Sequence, residues 1–330
     1  MDSWSEYGIQ LITLLQIAAW LEVPMRFFTF LGTREFFVFV LPAIYWCVDA
    51  GLGIRIGLIL LIGNGLNELA KMALHGPRPY WVSAQVKALV AEATFGAPSG
   101  HAQTAAGLWG TIAWGARRTW SWFAALIVIV MIGLSRLYLG VHFPQDVLLG
   151  WALGGLLLWM FLALWEWVAA WVRQRTLLQQ VLLSLAAPAA LLLGAGMLVN
   201  GLRLYMLPNA WMVNAARAGE PLPTPVSMDS TLTAAGTLLG LCLGLIWIHR
   251  RGGFKPSGPL WKRALCFLLG LIGLLIMYLG LKAAFPEGDS LVPWSLRFAR
   301  YVLLGLWVAA GAPWVFMRLG LMQNKGRRRE

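Results

Sequence analysis

Charge is scarce in this chain. Only 12% of its 330 residues are Asp, Glu, Lys or Arg, against about 25% in a soluble domain. No polar stretch is long enough to clothe a water-facing core, so a soluble globular domain is excluded. Cysteine is nearly absent. Cys47, Cys242 and Cys266 stand singly in apolar runs, which excludes a disulfide framework or a thiolate metal site and leaves them as packing residues. Carboxylates do not cluster either, so no Mg²⁺ or Zn²⁺ site is expected. No basic stretch precedes the first apolar run, so the N-terminus does not read as a cleaved signal peptide. No Asn-x-Ser/Thr sequon occurs, which fits a bacterial source.

What is present is apolar. The chain is 59% hydrophobic with a mean hydropathy of +0.69. That marks an integral membrane protein, and a lipid environment forces its spans to be helices. Apolar runs near 34–49, 53–75, 100–116, 119–140, 144–172, 177–200, 230–248, 263–284 and 294–318 read as spans, about nine in all. Residues 1–33 read as a separate interfacial or partly inserted helix, because Glu22, Pro24 and Arg26 cut the first run short of the roughly 20 residues a span needs.

The net charge of +12 raises the question of nucleic acid, but its distribution points to membrane orientation instead. More than half of the 26 basic residues fall in one alternating set: Arg55; Arg117 and Arg118; Arg173 and Arg175; Arg250, Arg251, Lys255, Lys262 and Arg263; and Arg318, Lys325, Arg327, Arg328 and Arg329. A positive-inside bias puts that set and the C-terminus in the cytoplasm. The 76–99 loop and the 140–144 turn then face outward together. The longest polar segment, 201–229 with Pro208, Pro221, Pro223 and Pro225, faces outward as well. Asp229-Ser230-Thr231 reads as a helix N-cap, with a role for Asp229 at a substrate entrance as the alternative.

Three short motifs are thereby forced to one membrane face. Lys71 and Arg78-Pro79 end one helix, Pro98-Ser99-Gly100-His101 opens the next, and Ser135-Arg136 to His142 and Asp146 lie between two more. Ionisable residues at membrane depth are costly and mark function. Lys71, Arg78 and Arg136 supply three cations, the arginines with forks suited to phosphate oxygens. Ser99 and Gly100 sit where free backbone N–H groups at a helix start favour an anion. His142 precedes Asp146 by four residues, a spacing that lets the carboxylate fix the imidazole tautomer and leave the other nitrogen to attack. His101 is the candidate acid for the leaving oxygen. Asn64, Asn67, Glu68 and Lys71 share one helix face, either for interhelical hydrogen bonds or so that Glu68 positions Lys71. Tyr80 and Trp81 read as interfacial anchors or as pocket walls.

These motifs, in this order, resemble the signature of the type 2 phosphatidic acid phosphatase (PAP2) superfamily, which vanadium haloperoxidases share. The resemblance implies an all-α polytopic membrane fold with a catalytic domain over 34–172 and a four-helix extension over 173–330. It also implies a metal-independent phosphatase with no cofactor. His142 is then the nucleophile that forms a phosphohistidine, Asp146 its orienting partner and His101 the general acid. Lys71, Arg78, Ser99, Gly100 and Arg136 are the phosphate binders. Tyr7-Gly8-Ile9-Gln10, Gly76-Pro77-Arg78-Pro79-Tyr80-Trp81, Leu134 to Leu139 and Gly236-Thr237-Leu238-Leu239-Gly240 are similar to the nine-span glucose-6-phosphatase branch. Asp146 departs from that branch, where a glutamine is expected. The substrate expected is therefore a lipid phosphate or diphosphate (phosphatidic acid, phosphatidylglycerol phosphate or an undecaprenyl phosphate), with a sugar phosphate as the alternative. A bacterial inner-membrane location, a site facing the periplasm or exterior and no nucleic-acid partner complete the expectation. A non-catalytic scaffold or transporter would have no need for both histidines, and no halide site is apparent.

Overall fold

The structure is a computed structural model that describes residues 3–90, 92–219 and 222–324; Pro221, Lys325 and Arg327 to Arg329 lie outside the described residues. It is helical nearly throughout. Helix α1 is Ser3–Ile17, and α2 is Glu22–Phe30, reached through a 3₁₀ turn. The chain bends by 87° between them. Helix α3, Arg34–Ala43, ends in a π-turn over Ile44–Val48. Then come α4 (Ala50–Leu74), the short α5 (Pro79–Val82), α6 (Gly100–Ala116), α7 (Thr119–Tyr138), α8 (Pro144–Arg173) and α9 (Leu177–Gly201). The remainder is α10 (Asn209–Arg217), α11 (Asp229–Arg250), α12 (Leu260–Ala284), α13 (Leu291–Leu306), a second π-turn over Trp307–Gly311, and α14 (Ala312–Arg318). Two-residue strands β1 (Phe254–Lys255) and β2 (Gln323–Asn324) pair antiparallel.

Among the described residues, seven helical segments are long and apolar enough to span a membrane, or eight if the bent α1–α2 pair is one span. The expected count of nine is therefore not reproduced. The 34–49 run is interrupted by its π-turn, and α6 has 17 residues. Arg55 lies inside α4, where its Nη2 pairs with Glu166 Oε1 at 2.9 Å. An ion pair of this kind offsets the cost of a charged residue within such a helix.

The chain forms two compact units. One comprises Met1–Phe36, Leu66–Met160 and Gly194–Ser227; the other comprises Phe37–Gly65, Phe161–Leu193 and Met228–Glu330. In the second unit, α11 and α13 approach closely: a Cβ on Gly240 would overlap the Val302 carbonyl. The π-turn after α13 frees carbonyls from the helical ladder, and buried side chains take them up. Tyr45 Oη donates to Ala309 O and Trp46 Nε1 to Val308 O, each at 2.9 Å. Helix α11 begins at Asp229 itself, whose carboxylate pairs with Arg297 Nη2 at 2.9 Å rather than capping the helix.

In the first unit, α6 and α8 meet through small residues. A Cβ on Gly150 would lie 2.5 Å from Ser99 O, and one on Gly154 would strike Gln103 O. This contact sets the start of α6 against the start of α8, which is where Ser99 and Asp146 lie. Gly150→Val should push the helices apart and lower activity by at least about tenfold, with a destabilisation of about 1–3 kcal/mol from overpacking. Thermal unfolding and phosphate release, measured on the same preparation, check both effects.

Candidate active site

The three motifs converge inside the first unit. Arg78, at the N-cap of α5, is 0% exposed. Its Nε donates to Thr94 O at 2.6 Å, Nη1 to Val141 O at 2.9 Å, and Nη2 to Phe95 O and Thr94 Oγ1 at 3.1 Å each. One guanidinium thus ties the 83–99 loop to the turn that carries His142. Lys71, in the last turn of α4, donates from Nζ to Thr94 Oγ1 at 3.0 Å and lies 3.6 Å from Glu68 Oε1. Glu68 therefore pairs with Lys71, while the neighbouring Asn67 makes an interhelical bond, Nδ2 to Gln103 Oε1 at 2.8 Å. Arg136, in the last turn of α7, is buried. Its Nη1 donates to Thr29 Oγ1 at 2.7 Å and its Nη2 to Glu92 Oε1 at 2.6 Å.

Ser99 caps α6, with Oγ accepting from Ala102 N at 3.4 Å, and its own N–H donates to Asp146 O at 2.9 Å. Gly100 is the first residue of α6, against Asn67. His101 follows, half-buried and in electrostatic reach of Arg136, Glu92, Lys71 and Arg78.

His142 sits in the turn between α7 and α8, buried. Its Nε2 faces Arg78 Nη1 at 3.5 Å, and its Nδ1 lies 3.6 Å from Asp146 Oδ2. A guanidinium only donates, so the nitrogen facing it must carry the lone pair. That assigns the proton to Nδ1, on the Asp146 side. The Nδ1–Asp146 separation is longer than a hydrogen bond, as catalytic contacts often are before substrate binds. The carboxylate is held meanwhile by the Phe143 N–H, which donates to Oδ2 at 2.8 Å. Burial first, then the charges of Arg78, Arg136, Lys71 and His101, hold the His142 imidazole well below its ordinary pKa. It is a neutral base at physiological pH.

Sequence reasoning missed Glu92. Its carboxylate is 24% exposed and bridges two of the expected phosphate binders, Arg136 at 2.6 Å and Arg78 at 3.6 Å. Burial raises the pKa of this carboxyl, but Arg78, Arg136, His101 and Lys71 together outweigh burial and hold it well below the usual carboxylate range. Thr94, shared by Lys71 and Arg78, and Thr29 were missed too. A lone acid or threonine in a loop has no periodicity or motif to flag it. The wall of the site is aromatic. Tyr80 and Trp81 are buried, so they are walls and not interfacial anchors. Tyr80 Oη donates to Glu92 O at 2.8 Å. The proline-rich segment after α9 packs on the same loop: Thr224 N–H donates to Ala93 O at 3.1 Å, Asn214 Nδ2 to Trp81 O at 2.9 Å, and Trp211 lies 5.9 Å from Trp81. From the N-terminal side, Gln16 and Arg26 donate to Lys87 O and Leu89 O at 2.8 and 3.0 Å.

Comparison with known proteins agrees with this picture. Residues 52–177 match the PAP2 superfamily model, and residues 232–325 match the PAP2 superfamily phosphatase transmembrane extension. Glucose-6-phosphatase 3 of Bos taurus is 31% identical over 351 residues, covering 96% of this chain and 96% of its own. The chain belongs to the PAP2 superfamily. It is a membrane-embedded phosphoric ester hydrolase with a glucose-6-phosphatase-like architecture. Glucose-6-phosphatase catalytic subunit 1 of Felis catus is 28% identical, covering 85% of each chain. Among solved structures, a PAP2 type phosphatidylglycerolphosphate phosphatase from Bacillus subtilis is 26% identical. It covers 48% of this chain and 85% of that one at a TM-score of 0.40.

Proposed function

We propose that this PAP2 phosphatase hydrolyses a phosphate monoester through a phosphohistidine on His142. The observation that carries the reading is the orientation of that imidazole: lone pair on Nε2 toward the arginines, proton on Nδ1 toward Asp146. With phosphate seated on Lys71, Arg78, Arg136, the Ser99 hydroxyl and the Gly100 N–H, Nε2 attacks phosphorus. A P–N bond forms as the bond to the leaving oxygen breaks. The negative charge of the bound phosphate lets His101 take up a proton, which it gives to that oxygen, and Asp146 stabilises the charge on His142. His101, now neutral, takes a proton from water, whose oxygen attacks phosphorus as the P–N bond to Nε2 breaks. Inorganic phosphate leaves and His142 is restored.

For the substrate, relatives matching nearly the whole chain are glucose-6-phosphatases, which favours a soluble sugar phosphate, the alternative reading of the sequence. The polar groups around the phosphate cradle support it: Thr29, Glu68 and Glu92 offer acceptors to hydroxyl groups. A lipid phosphate is the second reading, favoured by Asp146. Phosphate release from glucose 6-phosphate, other sugar phosphates, phosphatidic acid and phosphatidylglycerol phosphate decides between them. Release from lipids alone would overturn the sugar reading. The orientation we favour puts the site outside the cytoplasm and the C-terminus within it. The division we favour is a catalytic domain over 34–172 with a C-terminal extension after it.

Glu92 holds donors that the incoming phosphate needs. Removing its charge should tighten anion binding, since a unit charge about 4 Å away is worth more than 1 kcal/mol at protein-like dielectric. Glu92→Gln is expected to lower the inhibition constant for inorganic phosphate roughly tenfold. An unchanged or higher constant would show that Glu92 supports Arg136 without competing for it.

A further inference from the structure

Arg300, on α13, is a further charged residue within a candidate span, and none of the chemistry above uses it. It is 4% exposed. Its guanidinium faces the rings of Tyr301 at 5.2 Å and Tyr278 at 5.9 Å, and its Nε is buried without a hydrogen-bond partner. Among the described residues no carboxylate pairs with it. Asp229 is engaged with Arg297 at 2.9 Å and Glu287 with Lys282 at 3.9 Å. Two tyrosine rings return part of the cost of burying such a charge, but an arginine here without an anion remains expensive. Arg297, one turn earlier, lines the same recess. Phe285, Glu287 and Pro293 line it as well.

We propose that this recess binds a phosphate anion at Arg300 and Arg297. The site uses none of the residues of the catalytic centre. Two guanidinium forks on one helix face give the planar, multidentate recognition that phosphate oxygens favour. An anion there supplies Arg300 Nε with an acceptor and its guanidinium with a countercharge. The anion is either the headgroup of an anionic phospholipid or free inorganic phosphate. The exposed apolar side chains of α12, among them Leu268, Ile272, Ile276 and Leu279, offer acyl chains a surface beside it.

The test compares the full chain with Arg300→Gln, both purified in detergent. Native mass spectrometry with phosphatidylglycerol and with phosphatidylcholine forms one arm. Thermal unfolding with added inorganic phosphate forms the other. If the source is lipid, the wild type retains one more phosphatidylglycerol than the variant, with phosphatidylcholine showing no difference. If the source is free phosphate, lipid retention is equal and the phosphate-induced stabilisation is larger in the wild type. Either result should correspond to a loss of affinity of about tenfold or more, the scale of one charge-assisted contact. Equal behaviour in both arms would overturn the proposal. Arg297→Gln is the second variant, since it keeps the buried Arg300. It should weaken the same ligand, and if Arg300→Gln does not fold, unchanged binding in Arg297→Gln overturns the proposal.

Discussion

His142→Ala should abolish phosphate release, lowering kcat by at least about 10⁴-fold, because no other group can form the covalent intermediate. The loss should come without collapse of the fold. The imidazole's nearest partners, Arg78 at 3.5 Å and Asp146 at 3.6 Å, both keep other hydrogen bonds when it goes. Destabilisation is expected at about 1–2 kcal/mol, and thermal unfolding in detergent separates the two effects. Activity within tenfold of wild type would sink the assignment of His142 as nucleophile.

The same residue sets a pH signature. The imidazole pKa is depressed, by burial first and by the surrounding cations after it, so the attacking form is the one that persists as pH falls. The acid limb of kcat/KM should therefore lie below the ordinary histidine value of about 6.5. Lys71→Met removes one of the depressing charges and should move that limb to higher pH. A limb that stays put would show that another group controls it.

The second large effect is expected at Arg78. Arg78→Ala leaves the carbonyls of Thr94, Phe95 and Val141 without this donor. Each buried orphan costs about 1–3 kcal/mol, so the variant should lose much of its stability and all measurable activity. Arg78→Lys is the more informative change. It keeps the charge but cannot reach three carbonyls at once. It should fold with a lowered unfolding temperature and lose about 10²–10³-fold in kcat, the scale of one misplaced donor to the developing charge. Near-normal activity in Arg78→Lys would show that only the charge matters.

The two predictions differ in how far the sequence reaches. For His142, the spacing to Asp146 and the proline that starts the next helix already implied a tautomer, and the structure places Nδ1 3.6 Å from Asp146 Oδ2. For Arg78, the sequence implied a phosphate binder. It did not imply a clamp, because the carbonyls it holds belong to a loop with no periodic signal. Glu92 was invisible for the same reason. Hydropathy found the apolar runs, but it measures polarity and not helix continuity, and among the described residues seven or eight helical segments are long enough to span. The break at Ile44–Val48 and the 17-residue α6 are properties of backbone geometry.

By itself, then, the sequence determined the solvent and the helical class, and it nominated the chemistry-bearing residues Lys71, Arg78, Ser99, Gly100, His101, Arg136, His142 and Asp146. Residue type and local spacing are enough for that, because ionisable groups are too costly in lipid to persist there without a use. Tertiary structure decided which nitrogen of His142 faces Arg78, that Glu92 bridges two of the cations, that the segment after α9 covers the site loop, and that Arg300 lies buried with no carboxylate partner among the described residues. Each of these depends on groups distant in sequence meeting at hydrogen-bond range, and only the closed packing of helices such as α6 on α8 brings them there.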